Sequence, residues 1–474
     1  MTFKSAVICV ALAMAAPAFS EQVQVTRGQL LSLGVEALST GDAADARKAV
    51  QIADALLKKN PKDLDAHALR ARALAQLGNA QEARRSAGVI FQNSETPSSK
   101  HGAALLTSKA LFSEKDYPAA QIWLRRAIQY AETDAQRAEI RQLYGAVKKA
   151  NPFSASFSLS ASPNSNINNG SFEDTLLFNF AGVEIPLQLS VDAKALAGYS
   201  ADASMRLSYR LAQGQNFATS LKLDAYGRMN WLSSGSKQAI AEAAADETDP
   251  AAAAELMAIK GSDFNYYTTA LSLEHVQKLG ASGITAIGSV TGGRVWYGGS
   301  KLNDFVGGNL TFTAKTAGGR GTPALTLQLK RNFGAANGDA PVSIASLRAS
   351  YGHKLPWGDT VIGHGSYTRT FSTSATQVYS MPEVGLTYRL GKPIAGVNLS
   401  FGATYGYRTY DVASFSANGR QDHRLAGFVE AEVRSLSYMG FTPVVKVQAQ
   451  RNSSNINIYS NQSVSGGLYF KSSF

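Results

Sequence analysis

From Phe153 onward apolar and polar residues alternate one by one. That period of two limits this part of the chain to β-strands with two unlike faces. Phe153, Ala155, Phe157 and Leu159 stand against Ser154, Ser156, Ser158 and Ser160. The pattern returns with Met205, Leu207, Tyr209 and Leu211 against Ser204, Arg206, Ser208 and Arg210, and again over 383–390 and 424–433. A soluble sheet with one wet face also alternates. Many long alternating segments joined by tight Gly-rich turns point instead to a closed barrel in a membrane. In hydrocarbon every backbone N–H and C=O must be paired within the protein, and only a closed sheet does this with strands.

The pattern predicts fourteen strands near 153–162, 197–212, 216–231, 264–279, 283–298, 303–316, 322–333, 342–354, 359–371, 376–390, 395–410, 422–437, 441–452 and 462–474. Alternate connections then come out short, while the long ones, 163–196, 232–263 and 411–421, fall in the other set. Short periplasmic turns with long outer loops are the habit of bacterial barrels. Segment 233–262 is Ala/Glu/Asp-rich and is read either as a short helical loop or as disordered. Trp231, Trp296, Trp357, Tyr351, Tyr410 and Tyr438 lie near strand ends, where an aromatic girdle belongs.

Lysine or arginine facing lipid at the midplane costs about 2–4 kcal/mol. Arg206, Arg210, Lys222, Arg228, Arg389, Arg424 and Lys446 are therefore expected to face a lumen, with Asp224 beside Lys222, and Glu430 and Glu432 beyond Arg424. Mixed signs argue against a strongly ion-selective pore. Residues 153–474 hold 26 Lys/Arg and 21 Asp/Glu, so about half of the net charge of +11 precedes the barrel. No basic run interleaved with aromatics stands out, so nucleic acid is not an expected partner.

Before Asn151-Pro152 the period is helical. Residues 21–150 are rich in Ala, Leu, Arg, Lys and Glu, and Leu30, Leu31, Val35 and Leu38 share one helical face. Helix stops recur at Gly41, Asn60-Pro61, Gly78 and Lys115-Asp116. Ala46, Ala83 and Ala120 repeat every 37 residues, each early in a second helix, where a small residue lets two helices cross closely. The stretch Leu77-Gly78-Asn79-Ala80-Gln81-Glu82-Ala83 resembles the turn of a tetratricopeptide (TPR) repeat. Residues 21–150 are thus expected to form a periplasmic TPR-like α-solenoid of three helix pairs, and 151–474 the transmembrane β-barrel. Residues 1–20 read as a signal peptide, with Lys4, an apolar stretch from Ala6 to Ala16, and small residues after it. A lipid anchor at Cys9 is the other reading, opposed by the apolar stretch running on past it. No uncharged apolar run reaches the about 20 residues of a membrane-spanning helix.

Two motifs repeat at the edges of the barrel. Ser165-Asn166-Ile167-Asn168 follows the first strand, and Ser454-Asn455-Ile456-Asn457 precedes the last. First and last strands are neighbours in a closed barrel, so Asn166, Asn168, Asn455 and Asn457 are candidates for closing the seam by turn capping or for touching cargo. The chain ends with Gly466, Leu468, Phe470 and Phe474 on one face, which resembles the terminal strand that the barrel-assembly machinery recognises, although Ser472 stands where an apolar residue is commoner.

Asn151-Pro152-Phe153 with Ser160 to Asn168, and Gly440-Phe441-Thr442-Pro443 with Arg451 to Tyr459, resemble the opening and the end of the barrel in surface lipoprotein assembly modulators, the Slam family. The resemblance implies an outer-membrane translocon, also called type XI secretion. Such proteins move particular lipoproteins to the cell surface or release soluble haem- or metal-acquisition proteins. Their cargo commonly ends in a small β-barrel domain.

No P-loop, dinucleotide fingerprint or nucleophile elbow is present, so neither an enzyme nor a cofactor is expected. His353 and His364 could meet across neighbouring strands, and Asp422-His423 is an adjacent acid–histidine pair near a rim. Two rival readings remain. A polysaccharide exporter joins helical repeats to a barrel but has more repeats and a strongly charged lumen. A passive porin differs from a translocon in opening without cargo, and segment 163–196 is long enough to plug the pore.

Overall fold

The computed structural model describes residues 25–180, 183–416 and 419–472. The expected signal peptide at 1–20 with Cys9, and the terminal Phe474, lie outside them. The chain divides into two compact units, with the break between Asn151 and Pro152.

The first unit holds seven helices among the described residues: α1 (Arg27–Ser39), α2 (Ala43–Lys59), α3 (Leu64–Gln76), α4 (Ala80–Asn93), α5 (Pro97–Ser113), α6 (Tyr117–Gln129) and α7 (Asp134–Ala150). Three helix pairs are followed by α7, which the three-pair expectation did not include. The 37-residue period runs deeper than its alanines. Gly41, Gly78 and Lys115 end the first helix of each pair with φ of 76°, 76° and 62°. The next residues, Asp42, Asn79 and Asp116, cap the second helix by accepting from Ala44, Glu82 and Ala119 N–H. Ala46, Ala83 and Ala120 follow, all buried. A second small series, Gly34, Ala71 and Ser108, has the same spacing on the first helices and is also buried. A Cβ at Gly34 would strike the Leu69 side chain, so α1 approaches α3 only because that position is bare. The pairs stack around Ala49, Ala53, Leu69 and Ala73, then Ala71, Ala87, Ile90 and Ala103, then Leu111, Leu124, Ile140 and Val147. Buried clusters thus follow one another along the array, since no single pair could bury its own apolar face.

The second unit is a closed antiparallel barrel. In chain order it contains β1 (Phe153–Asn164), a small hairpin of β2 (Thr175–Phe180) and β3 (Val183–Gln188), β4 (Gly198–Gln213), β5 (Phe217–Leu232), helices α8 (Ser234–Asp246) and α9 (Pro250–Ala258), then β6 (Tyr266–Leu279), β7 (Ile284–Tyr297), β8 (Ser300–Thr313), β9 (Gly321–Phe333), β10 (Val342–Lys354), β11 (Thr360–Ser372), β12 (Tyr379–Arg389), β13 (Val397–Tyr410), β14 (Arg420–Val433), β15 (Phe441–Ser454) and β16 (Asn461–Ser472). All except β2 and β3 belong to the barrel, giving fourteen wall strands, as expected. Each pairs with its neighbours in sequence, and β1 closes the cylinder by pairing with both β4 and β16. Short connections at 214–216, 280–283, 314–320, 355–359, 390–396 and 434–440 lie at the end where β1 begins. The long ones, 165–197 and 233–265, lie at the other end.

Alternation decides which residues meet lipid. Phe157, Leu159, Leu327, Val384, Leu386 and Leu425 lie on the outward face and are exposed. No aqueous core could accept that belt, and a bilayer can. Trp231, Trp357, Tyr351 and Tyr438 are exposed near strand ends. Tyr410 departs from the girdle expectation: it pairs with Tyr379, which has inward-facing parity, and the two rings lie 5.1 Å apart. The Arg294–Asp304 ion pair (2.6 Å) has outward parity but sits near the outer end of β7, where a charge costs least. Among the described residues no helix is long and apolar enough to cross a membrane, whereas a barrel crosses with strands.

Candidate functional site: lumen wall and seam

Register sorts the lumenal charges into pairs that spacing along one strand does not show. Arg206 lies opposite Asp224 and bonds it at 2.5 Å. Lys222 does not pair with Asp224 beside it; it reaches across to Glu274 on β6 at 2.5 Å. Arg228 and Tyr226 both bond Asp202, at 2.7 and 2.5 Å. Further round the wall, Glu430 faces Lys446 in register. Lys471 of β16 reaches Glu432 of β14 at 3.4 Å, over the intervening β15. A contact that skips a strand is possible only on the concave side, which fixes Glu432 and its parity partners Glu430 and Arg424 as lumenal. Arg389 pairs with Ser400, which pairs with Glu430, so Arg389 shares that face. Arg210 faces Ser220 at the short-turn end of β4.

Between these charges the wall carries many hydroxyls. Ser158–Ser204, Ser272–Thr291, Thr311–Thr326 and Ser346–Thr368 join hydroxyls across neighbouring strands at 2.7–3.0 Å. Each pair satisfies part of its own hydrogen-bonding need. The ion pairs are partly solvated, and such pairs contribute about 0–1 kcal/mol each. They set the lumen's polarity more than its stability. His353 and His364 do not meet: His353 pairs with Val361 and His364 with Ser350, which puts the two rings on opposite faces. Asp422 and His423 are likewise on opposite faces, the acid buried against Arg420 and the imidazole 2.8 Å from the Tyr405 hydroxyl.

The two Ser-Asn-Ile-Asn stretches converge at the seam, at the end away from the short turns. Asn166 is buried. Its Nδ2 donates to Gly170 O and Gln462 O, and its Oδ1 accepts from Gly170 N, each at 2.9 Å. Ser165 exchanges bonds with Val464, through its own N–H at 3.1 Å and its hydroxyl at 2.9 Å. Asn168 instead closes the segment on itself, donating to Asp192 O and Lys194 O and accepting from Leu196 N at 2.7–2.9 Å. Asn455 holds the start of β14, accepting from Gln421 N at 2.7 Å and donating to Gly419 O at 3.1 Å. Asn457 takes part through its carbonyl, which accepts from the Ser171 hydroxyl at 2.9 Å. Phe172 N–H donates to Ser460 O at 3.0 Å. The first long connection is therefore docked on the last strand by side-chain amides and hydroxyls.

A feature that alternation does not reveal lies above the wall. Ile167, Leu196, Leu232 and Ile240 are buried together, with Val191, Ile259 and Phe264 against them. This apolar cluster joins the two longest connections. Within 233–262 the helical alternative holds: Ser233 caps α8, and Asp249 with Pro250 at the first turn opens α9. The only sequence signal for the cluster is Ile, Leu and Val inside segments otherwise read as loops.

No protein-family model and no curated protein matches the chain. Solved structures similar to it include the loop L8 deletion mutant of OmpT, an outer membrane protein of Vibrio cholerae (9% identity, 68% of this chain and 99% of that one, TM-score 0.35). CdiB from Acinetobacter baumannii is 12% identical over 66% of this chain and 59% of its own, with a TM-score of 0.35. A BenF-like porin from Pseudomonas fluorescens Pf-5 is 10% identical over 68% and 98%, with a TM-score of 0.34. At such identities and TM-scores nothing about activity passes from these proteins to this chain.

Proposed function

We propose that this chain is an outer-membrane translocon that moves specific protein cargo, surface lipoproteins or secreted haem- or metal-acquisition proteins, to the cell surface. The observation that carries the reading is the seam. The stretches that resemble the surface lipoprotein assembly modulators, 151–153 with 160–168 and 440–443 with 451–459, lie at the two ends of β1 and of β15 just before β16, and the first external segment is docked on the β1–β16 junction. A docked segment suits a gated path better than a permanently open one. The hydroxyl-lined wall with charges of both signs suits passage of a polypeptide better than a strongly charged polymer.

In this reading the helical repeat stands in the periplasm, because β1 begins at the end with the short turns. A repeat array offers a face for a protein partner and raises the local concentration of cargo near the pore. The terminal strand is handled by the barrel-assembly machinery, and the exposed belt meets the bilayer. No nucleotide site is expected from the sequence, so cargo folding outside is the proposed driving force; a permanently unfolded cargo exported at the normal rate would remove that part. A passive porin is the second reading, favoured by the mixed signs of the lumenal charges.

The test is co-expression with a cargo encoded next to this chain's gene, followed by protease shaving of intact cells. Cargo should be cleaved only when the full chain is present. Cargo that reaches the surface equally well without it sinks the translocon reading. Planar-bilayer recording separates the second reading, since large steady openings without cargo belong to a porin.

A further inference from the structure

We propose that Arg408 and Arg424, inside the barrel, form a binding site for an oxyanion, a carboxylate or a phosphate group. The inference rests on the lumen wall alone and holds whether or not the barrel carries protein.

A cavity of about 220 Å³ opens on this part of the wall, bordered by Asn169, Glu383, Arg408, Arg420, Arg424 and Asn452. The two proposed ligands sit on adjacent strands. Arg424 lies opposite Gly406, and Arg408 opposite Asp422, so the arginines are diagonal neighbours on the same face. Gly406 between them carries no side chain, and the nearest side chain to the place its Cβ would take is Glu383, with Cγ and Oε2 at 3.7 Å.

Partnering separates these arginines from the others nearby. Arg420 is fully engaged: Nε and Nη2 bond Asp422 at 2.8 and 2.7 Å, and the guanidinium lies 3.6 Å from the Tyr459 ring centre. Arg206, Arg228 and Lys222 each have a carboxylate. Arg408 has none within 4.0 Å among the described residues. It stacks 4.7 Å over Tyr379 and donates to the Tyr410 hydroxyl at 3.3 Å, and its buried Nε has no acceptor. Arg424 also lacks a carboxylate within 4.0 Å among the described residues, and it donates to the Met381 sulfur at 3.6 Å, a weak acceptor. Glu383, the remaining acid on the cavity, lies 3.6 Å from His364. Four arginines, Arg408, Arg420, Arg424 and Arg451, border the cavity against the single lining carboxylate of Glu383, with Asp422 taken up by Arg420, and leave it positive.

Two like charges side by side repel, and a buried N–H without an acceptor keeps the full desolvation penalty of its burial. An oxyanion removes both penalties, and arginine's fork matches the spacing of carboxylate and phosphate oxygens. Asn452 Oδ1, a second buried atom without a partner, is free to accept from a protonated oxygen of the same ligand. Asn169 reaches this cavity with φ of 55°, an uncommon conformation for a residue with a side chain. A bound anion therefore touches both the wall and the docked first connection.

The test uses the full chain in a phosphate-free detergent and follows the ³¹P line of inorganic phosphate. The wild-type chain should broaden the line saturably. Arg408→Gln and the Arg408→Gln/Arg424→Gln pair should weaken the effect at least tenfold, while Arg348→Gln, a lumenal cation outside the cavity, should not. Heat-modifiable migration checks that each variant is folded. A soluble glutamate-containing peptide that sharpens the line, when its glutamine counterpart does not, makes a passing chain's side chain the source of the anion. Phosphate binding that the peptide cannot displace makes the source a free small anion. The proposal is overturned if the wild-type chain gives no saturable broadening, or if the folded double variant broadens the line as much as the wild type.

Discussion

Replacing Asn166 with alanine should undock the first external connection from the seam. The change deletes three hydrogen bonds of 2.9 Å, two to Gly170 and one to Gln462 O on the last strand. Each such bond contributes about 1 kcal/mol net, and the carbonyls left behind in a buried place lose more, so about 3 kcal/mol of local stability is at stake. At a factor of ten per about 1.4 kcal/mol, the opening equilibrium should rise about a hundredfold. The bonds from Ser165, Ser171 and Phe172 remain, so the segment should loosen without leaving the rim altogether. Hydrogen exchange on the full chain in detergent reads this directly. Amides of Gly170, Ser171 and Phe172 should exchange about a hundredfold faster, while ladder amides in β9 and β10 stay as protected as before. Asn168→Ala is the comparison. Its bonds close the segment on itself, so it should speed exchange at Leu196 and leave the Gln462 side undisturbed. Unchanged exchange at 170–172 in folded Asn166→Ala protein would refute the idea that this amide pins the connection to β16.

Three further outcomes follow from the geometry. Lys115 holds the left-handed position that glycine fills at Gly41 and Gly78, so Lys115→Gly should stabilise α5 and α6 by about 1 kcal/mol, seen as slower exchange there; faster exchange would deny the strain. Asp63 caps α3 and receives a forked bond from Arg27 at 2.6 and 2.7 Å; this guanidinium, more than the cap, holds its carboxyl below the usual range. That stabilisation is present above the unfolded value of about 4 and is lost as pH falls through the lower folded value, so helical circular dichroism of Asp63→Asn should depend less on pH between neutrality and strong acid than that of the wild type. Leu327→Arg, on the lipid face of mid-β9, should cost about 2–4 kcal/mol and reduce the heat-modifiable form, whereas Gln328→Arg on the opposite face should not; equal effects would contradict the assignment of faces.

The strands were legible because lipid imposes its rule residue by residue. An outward position must be apolar whatever its neighbours are, so Leu425 and Val429 announce their face without any knowledge of the partner strand. Partner identity was not legible in the same way. Lys222 has Asp224 two residues away on its own face, yet Glu274 takes it, because register across strands decides which charges touch. Arg408 drew no notice for the same reason, since its lack of a partner is a property of three strands at once. Hairpin β2–β3 is not legible because both strands are only six residues long and TLLFNF does not alternate, although VEIPLQ does. In the helical unit the buried alanines at 46, 83 and 120 were visible. The matching series at Gly34, Ala71 and Ser108 hides because three different residue types fill one structural role.

The paired hydroxyls of the lumen have a mechanical consequence. Serines and threonines that bond one another across strands have fewer donors left for anything moving past them. If the proposed translocon reading holds, a polypeptide in transit would meet mostly saturated neighbours and exchange weak, short-lived contacts instead of being held at every step. Such a surface resembles a lubricated sleeve more than a ratchet, so any direction of travel has to be imposed from the two ends.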